Sequence, residues 1–248
     1  MWHSGDMGPV RDDVMWQAVQ DAVAEVHDAD GPLHILDLGG GTGGASVRLA
    51  EAGHFVTVVD PSPDALASLE RRAAERSVSD RVVAVLGDAA DLSAHVEPGS
   101  CDLALCHGVL EHVDDYDEAL DAVVTSLRPG GVASVVVAGR LAAIFSRAMA
   151  GDFATARTLL DASLAGWELR RDGPRKFTRD EVERLLDQHG LTRVRIDGLR
   201  TFVDHVPSAY VDAEPGARDA LRTLEHDVAR VADFTTISTS LHALARLD

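Results

Sequence analysis

Three aspartates and a run of glycines carry the most specific chemistry in this chain of 248 residues. The segment Asp37-Leu38-Gly39-Gly40-Gly41-Thr42-Gly43-Gly44 follows the apolar run LHILDL and precedes ASVRLAEAG. A strand, a glycine turn and a helix start are therefore expected in succession. Gly39, Gly41 and Gly44 satisfy GxGxxG, a pattern that on its own admits a dinucleotide. Asp37 argues otherwise, because a carboxylate just before the turn repels a pyrophosphate and attracts a cation. Asp60 closes the next apolar run, HFVTVVD, 21 residues after Gly39. There a carboxylate can take two ribose hydroxyls, or cap the helix that PSPDAL begins. Asp88, in Gly87-Asp88-Ala89, ends a third run, where it can accept from an adenine amino group.

The elements that must position these acids alternate along the chain. VRDDVMWQAVQDAVAEVH spaces Val10, Val14, Ala18, Ala22 and Val26 four apart and predicts an amphipathic helix over 10–27, ended by Asp30-Gly31-Pro32. RVVAVLGDAADL and CDLALCHGVLEHV predict a third and a fourth strand. Asp117–Ser126 predicts a helix stopped by Arg128-Pro129-Gly130-Gly131, and VASVVVAG a fifth strand. Strands alternating with helices imply right-handed crossovers and a doubly wound, mostly parallel Rossmann-like α/β sheet. Residues 140–176 break the rhythm with two helical pieces and no strand. Thr178 and Glu181 then have capping-box spacing. LTRVRIDGLR reads as a strand, Gly216–Asp233 as a helix and Phe234–Leu247 as a closing strand. The expectation is one domain over 1–248, with an amino-terminal helical segment at 1–30 and a helical cap inserted at 140–176.

Composition excludes several function classes. The net charge is −18, and 22 of the 23 basic residues are arginine, Lys176 being the single lysine. An acid excess of that size opposes a broad groove for duplex DNA or an anionic membrane. Cys101 and Cys106, five apart on one expected strand, point to opposite faces and read as buried thiols. The histidines lack metal-ligand spacing, so no metal is expected. Val132–Ala150 is too interrupted by Gly139, Arg140 and Arg147 to span a membrane, and no signal-peptide core precedes it. A cytoplasmic protein is expected. Its oligomeric state is not legible.

S-adenosylmethionine carries an ammonium and a sulfonium and no phosphate, so the Asp37 argument favours it over NAD. Asp37–Gly44, Asp60, Gly87-Asp88-Ala89, Cys106–His112 and Leu127-Arg128-Pro129-Gly130-Gly131 resemble the successive motifs of class I S-adenosylmethionine-dependent methyltransferases. That resemblance implies a seven-stranded sheet with an antiparallel last strand. It implies cofactor contacts at Asp37, Gly39, Gly40, Gly41, Gly43, Asp60, Pro61, Asp88, Ala89 and His107. A closer resemblance, to the bacterial tRNA 5-carboxymethoxyuridine methyltransferases, rests on Gly5–Arg11, His107–Glu111, Ala148–Phe153 and Gly198–Asp204. It implies a cofactor contact for Arg11 and a tRNA substrate. The lysine-rich stretch of those enzymes is diluted here to Arg170-Arg171-Asp172-Gly173-Pro174-Arg175-Lys176, and their carboxy-terminal Pro-Tyr and Gly-Arg-Tyr elements are replaced.

Methyl transfer from a sulfonium is an in-line displacement, and a carboxylate nucleophile needs no general base at neutral pH. His107 is the one attractive catalytic histidine, as a proton acceptor or as packing against the cofactor. Arg140, Arg147, Arg170, Arg171, Arg175, Lys176 and Arg200 could form an anion-recognising rim for phosphates or a carboxylate, or a solvated surface. Trp167 and Phe177 could stack on a base or anchor the cap. The expected acceptor is thus tRNA or an anionic small molecule. A small-molecule carboxyl or oxygen methyltransferase and a non-catalytic cofactor-binding module are the alternatives.

Overall fold

The computed structural model describes residues 8–26 and 31–248. Of the Gly5–Arg11 segment, Gly5–Met7 lie outside the described residues and Gly8–Arg11 form the first helical turn; the helix end expected at Asp30 also lies outside them. Packing divides the chain into two compact units. A sheet unit comprises Val19–Val136, Glu183–Arg195 and Ala243–Asp248, and a helical unit comprises the residues up to Ala18, Val137–Val182 and Ile196–His242.

Among the described residues seven strands form one sheet. They are β1 (His34–Leu38), β2 (Phe55–Asp60), β3 (Val82–Leu86), β4 (Cys101–His107), β5 (Leu127–Ala138), β6 (Leu191–Leu199) and β7 (Ser240–Leu247), in the order β3-β2-β1-β4-β5-β7-β6. The pairs β1/β2, β2/β3, β1/β4 and β4/β5 are parallel, and β7 runs antiparallel. The expected doubly wound fold is therefore present. Its strands are short apolar runs because both faces are covered: Leu36, Val58, Leu103, Ala104 and Leu105 are fully buried. Sheet order reverses between β1 and β4, so the loops leaving these two strands diverge and open a crevice at their carboxyl ends.

Helices α1 (Gly8–Glu25), α2 (Gly44–Glu51), α3 (Pro63–Glu75) and α4 (Tyr116–Ser126) follow the expected pattern. Val10, Val14, Ala18, Ala22 and Val26 are all buried, as their spacing requires. Ser62 caps α3 by accepting from Ala65 N–H at 3.2 Å, with Pro63 in its first turn. Asp115 caps α4 by accepting from the N–H groups of Asp117 and Glu118, each at 3.0 Å.

The stop expected at Arg128–Gly131 lies inside β5 instead. Cys101 pairs with Leu127 but Leu103 pairs with Val132, so the extra residues bulge out of the ladder. Gly130, at φ +77°, makes that bulge, which is why a Pro-Gly-Gly sequence is tolerated within a strand.

The helical unit holds more pieces than the sequence suggested. Helices α5 (Arg140–Met149), α6 (Phe153–Asp161) and α7 (Leu169–Asp172) replace the two expected between 140 and 176. Helix α8 (Arg179–Gln188) opens with the expected capping box: Thr178 N–H donates to Glu181 Oε2 at 2.8 Å, and Glu181 N–H to Thr178 Oγ1 at 3.3 Å. Helices α9 (Ser208–Ala213), α10 (Ala217–Val228) and α11 (Ala232–Ile237) complete the unit. The closing strand begins at Ser240, not Phe234. The run Phe-Thr-Thr-Ile, aromatic and β-branched, is helical, with Thr235 Oγ1 donating to the Ala229 and Val231 carbonyls and the following Ser238 Oγ to that of Phe234.

Among the described residues no helix is long and apolar enough to cross a membrane, and no cluster of three or more His, Cys, Asp or Glu could hold a metal. Cys101 and Cys106 are buried free thiols.

Candidate functional site

In the sheet unit the glycine turn folds over Asp37. Its carboxylate is buried, accepts a hydrogen bond from Ser46 Oγ on α2, and lies directly beneath the loop. A Cβ at Gly40 would come within 2.6 Å of Asp37 Oδ2 and 2.9 Å of Val58 Cγ1. Gly43 stands in the left-handed region at φ +75°, and a Cβ there would meet Leu69 Cδ1 at 2.1 Å. These two positions accept only glycine, for space at the first and for backbone geometry and space at the second. Burial pushes the Asp37 pKa up to about 6, Ser46 partly opposing and the Asp60 charge adding to the rise.

Asp60 ties the turn to β2. Its Oδ2 accepts from Gly41 N–H and its Oδ1 from Ser62 N–H, both at 2.9 Å. The carboxylate is thus fixed at the strand end with lone pairs remaining for further donors.

Asp60 faces a cavity of about 510 Å³ at the carboxyl ends of the strands. Leu38 and Gly39 contribute from β1, Val59, Asp60 and Pro61 from β2, Asp88, Ala89 and Ala90 after β3, and Gly108 and Val109 after β4. The segment His112–Asp115, with Glu118 and Ala119, closes another wall. The size suits a nucleoside with a small substituent. Five carboxylates line it, those of Asp60, Asp88, Asp114, Asp115 and Glu118, and no lysine or arginine does so among the described residues. Such a site favours a cation and rejects a phosphate.

Residues 35–131 match a family model described as a methyltransferase domain. Over 243 residues the chain is 30% identical to the tRNA 5-carboxymethoxyuridine methyltransferase of Escherichia coli O157:H7, covering 96% of this chain and 88% of that one. The chain belongs to the S-adenosylmethionine-dependent methyltransferases. It is also 30% identical over 186 residues to a ubiquinone biosynthesis O-methyltransferase of Xanthomonas euvesicatoria, covering 71% of this chain and 74% of that one. Among solved structures, a Thermotoga maritima S-adenosylmethionine-dependent methyltransferase, described as a possible histamine N-methyltransferase, shares the fold. Its TM-score is 0.60 at 17% identity, covering 98% of this chain and 92% of that one.

The cofactor of this methyltransferase is S-adenosylmethionine, and the cavity fits it: five carboxylates on its wall meet a ligand bearing two cationic centres, and the glycine turn leaves the backbone open to close approach. Of the residues expected there, Gly39, Asp60, Pro61, Asp88 and Ala89 line the cavity. Asp37, Gly40, Gly41 and Gly43 build the loop behind it. His107 is not on the wall. Its Nε2 lies 2.8 Å from Ser134 Oγ, and desolvation presses its pKa down to about 4, so the ring is neutral at physiological pH. Val109, His112, Asp114, Asp115 and Glu118 were not expected at the site. They belong to the turn after β4 and the start of α4, where the sequence offers no spacing cue.

The basic residues of the helical unit are largely occupied. Arg140 is a correction to the expected rim. Buried to 5% exposure, it donates to both Glu181 oxygens, at 2.9 and 2.7 Å, and to the Lys176 and Ala162 carbonyls, and it lies over the Trp167 ring. Arg175 is likewise buried and offers no surface to a large anion. Arg171 holds both oxygens of Asp172, at 2.8 and 2.7 Å, and pairs with Glu168. Arg147 lies 3.6 Å from Asp152. Lys176 is half-buried and gives its carbonyl to Arg140, while the side chain of Arg170 lies outside the described residues. Trp167 donates to the Gly173 carbonyl at 2.9 Å, and Phe177 is wholly buried; both anchor the segment and are unavailable for stacking. Arg11 and Arg200 meet at Asp204.

Proposed function

We propose that this methyltransferase transfers the methyl group of S-adenosylmethionine to a carboxylate oxygen of a modified wobble uridine in tRNA. The observation that carries the reading is the likeness to the tRNA 5-carboxymethoxyuridine enzyme over nearly the whole chain. S-adenosylmethionine supplies an electrophilic methyl group on a sulfonium. Asp60 accepts from the ribose hydroxyls, Asp88 and Ala89 address the adenine, and the backbone of Gly39–Gly43 with Pro61 shapes the turn around them. Asp37 supplies negative potential from beneath the loop. A carboxylate acceptor is already ionised, so the chain has only to align it and exclude water. Neutral His107 fits that scheme, held by Ser134 at the end of β4 and moving no proton. We further propose that residues 140–176 and Arg200 select the acceptor within a single functional domain. A tRNA acceptor places the reaction in the cytoplasm.

A second reading, a small-molecule oxygen methyltransferase, is favoured by the ubiquinone-pathway relative and by His112 on the cavity wall, which could accept a proton from a hydroxyl acceptor. The net charge of −18 and the internal pairing of the arginines also suit it. Incubation with methyl-labelled cofactor and separated tRNA and metabolite pools decides between them. Base-labile label in tRNA is the expected result; label confined to metabolites would remove the tRNA reading.

A further inference from the structure

The cavity at the strand ends does not stop at the turn after β3. Beyond Ala89 and Ala90 lies a second cavity, of about 230 Å³, between the 3₁₀ turn Leu92–Ala94 and α4. Ala89, Ala90 and Glu118 line both. Their common wall is therefore two methyl groups and one flexible carboxylate side chain. Every residue lining either cavity belongs to the sheet unit.

Local hydrogen bonds fix this wall. Asp88 Oδ1 accepts from Ala90 N–H at 2.8 Å, and Asp91 Oδ1 accepts from Asp88 N–H at 2.7 Å. The turn thus satisfies its own backbone and leaves small side chains at the boundary. Leu92, Val96 and Ala122 line the second cavity and offer methylenes an apolar floor. Glu118 and Asp121, three apart on α4, add two carboxylates, and no lysine or arginine lines it. Asp121 is engaged by His189 Nδ1 at 2.5 Å. The Glu118 carboxylate makes no hydrogen bond or ion pair among the described residues.

Size and charge select the occupant. Sites for free small molecules run from about 300 to 1,000 Å³, so this volume suits a substituent on a ligand already held next door. An apolar floor beneath an unpaired carboxylate suits a short alkyl chain ending in an ammonium. An adenine at Asp88 and Ala89 presents its exocyclic amino nitrogen, N6, to the shared wall. We propose that the second cavity is a subsite for a short alkylammonium group carried on N6 of an adenosyl ligand. The proposal rests on the adenine placement given above and is independent of the methyl acceptor.

The test is calorimetry on the full chain with S-adenosylhomocysteine, its N6-(3-aminopropyl) derivative and its N6-propyl derivative. The aminopropyl ligand is expected to bind about tenfold tighter than the unsubstituted one, and about threefold tighter than the propyl ligand. Ala122→Leu fills the second cavity from a residue that does not line the first. It should abolish the gain and leave S-adenosylhomocysteine unaffected; Thr125→Met, on the exposed rim, is a second filling variant, and unfolding midpoints verify both. Glu118→Gln should erase the difference between aminopropyl and propyl. Weaker binding of the aminopropyl ligand than of S-adenosylhomocysteine, or a gain that both filling variants leave intact, would overturn the proposal. Asp88→Asn tests the placement beneath it: the amide keeps an acceptor for Ala90 N–H but loses the one for the adenine amino group. A loss of about tenfold for S-adenosylhomocysteine upholds the placement, so rejection of the N6 ligands would then remove the subsite alone. Unchanged affinity in Asp88→Asn would withdraw the adenine placement and the subsite with it.

Discussion

Arg140 donates to both carboxylate oxygens of Glu181, and Glu181 at the same time closes the capping box of α8 by accepting from Thr178 N–H. One largely covered carboxylate therefore joins the start of α5 to the start of α8 across 41 residues of sequence. Removing one partner of a buried pair strands the other's charge, which costs more than the pair contributes net. Arg140→Ala is expected to lower stability by about 3 kcal/mol, measured by urea unfolding, and Glu181→Gln by less because the amide keeps one acceptor. Cofactor affinity in the surviving folded fraction should be unchanged. A loss of acceptor binding without a loss of stability would restore Arg140 to the substrate rim.

Gly43 gives a sharper test of the cofactor loop. Its φ of +75° and the approach of Leu69 Cδ1 leave no room for a methyl group. Gly43→Ala should cost about 1–3 kcal/mol through strain and the displacement of α3. Because Gly43 also precedes the first turn of α2, calorimetry should show S-adenosylhomocysteine binding weakened beyond detection. Gly53, with φ +103° and nothing near its Cβ, is the control. Gly53→Asn should bind normally.

The strand ends that build this site were legible because each is an apolar run closed by a carboxylate, as at Asp37 and Asp60. What the sequence obscured was competition between local and distant partners. Phe234–Ile237 has strand-like residues, yet its hydroxyls bond back to helix carbonyls. Arg140 on the cap and Arg175 in the basic stretch read as rim or surface charges, but sequence does not reveal a carboxylate 41 residues away that draws Arg140 inside. His112 and Glu118 reach the cavity through the turn after β4, whose path no periodicity announces. The ion pair of Arg11 with Asp204 spans 193 residues and needed the fold itself.

Asp37 makes stability depend on pH in a defined direction. Its pKa is about 6 in the folded protein against roughly 4 in an unfolded chain. The folded state therefore binds the proton more tightly, and the stabilising contribution is complete below about pH 4 and lost as pH rises through 6. Above that range the ionised group weakens the fold by about 3 kcal/mol relative to acid. Asp37→Asn should raise the unfolding midpoint at pH 8 and leave it nearly unchanged at pH 4, while weakening the attraction for a cationic cofactor. An equal shift at both pH values would mean that Asp37 is not the titrating group.

His107 titrates in the opposite sense. Desolvation holds its folded pKa near 4, below the usual 6.5. The neutral ring is thus the native form, and its contribution to stability is present above about pH 6.5 and lost as pH falls towards 4. If His107 only packs and bonds to Ser134, the logarithm of kcat/KM should show no inflection near pH 4. His107→Gln, which can still reach Ser134 Oγ, should then retain most activity and show less acid destabilisation than the parent. A loss of about 100-fold in kcat with an unchanged unfolding midpoint would instead assign the ring a proton. That outcome would shift the acceptor from a carboxylate to a hydroxyl, because only a hydroxyl has a proton to give up.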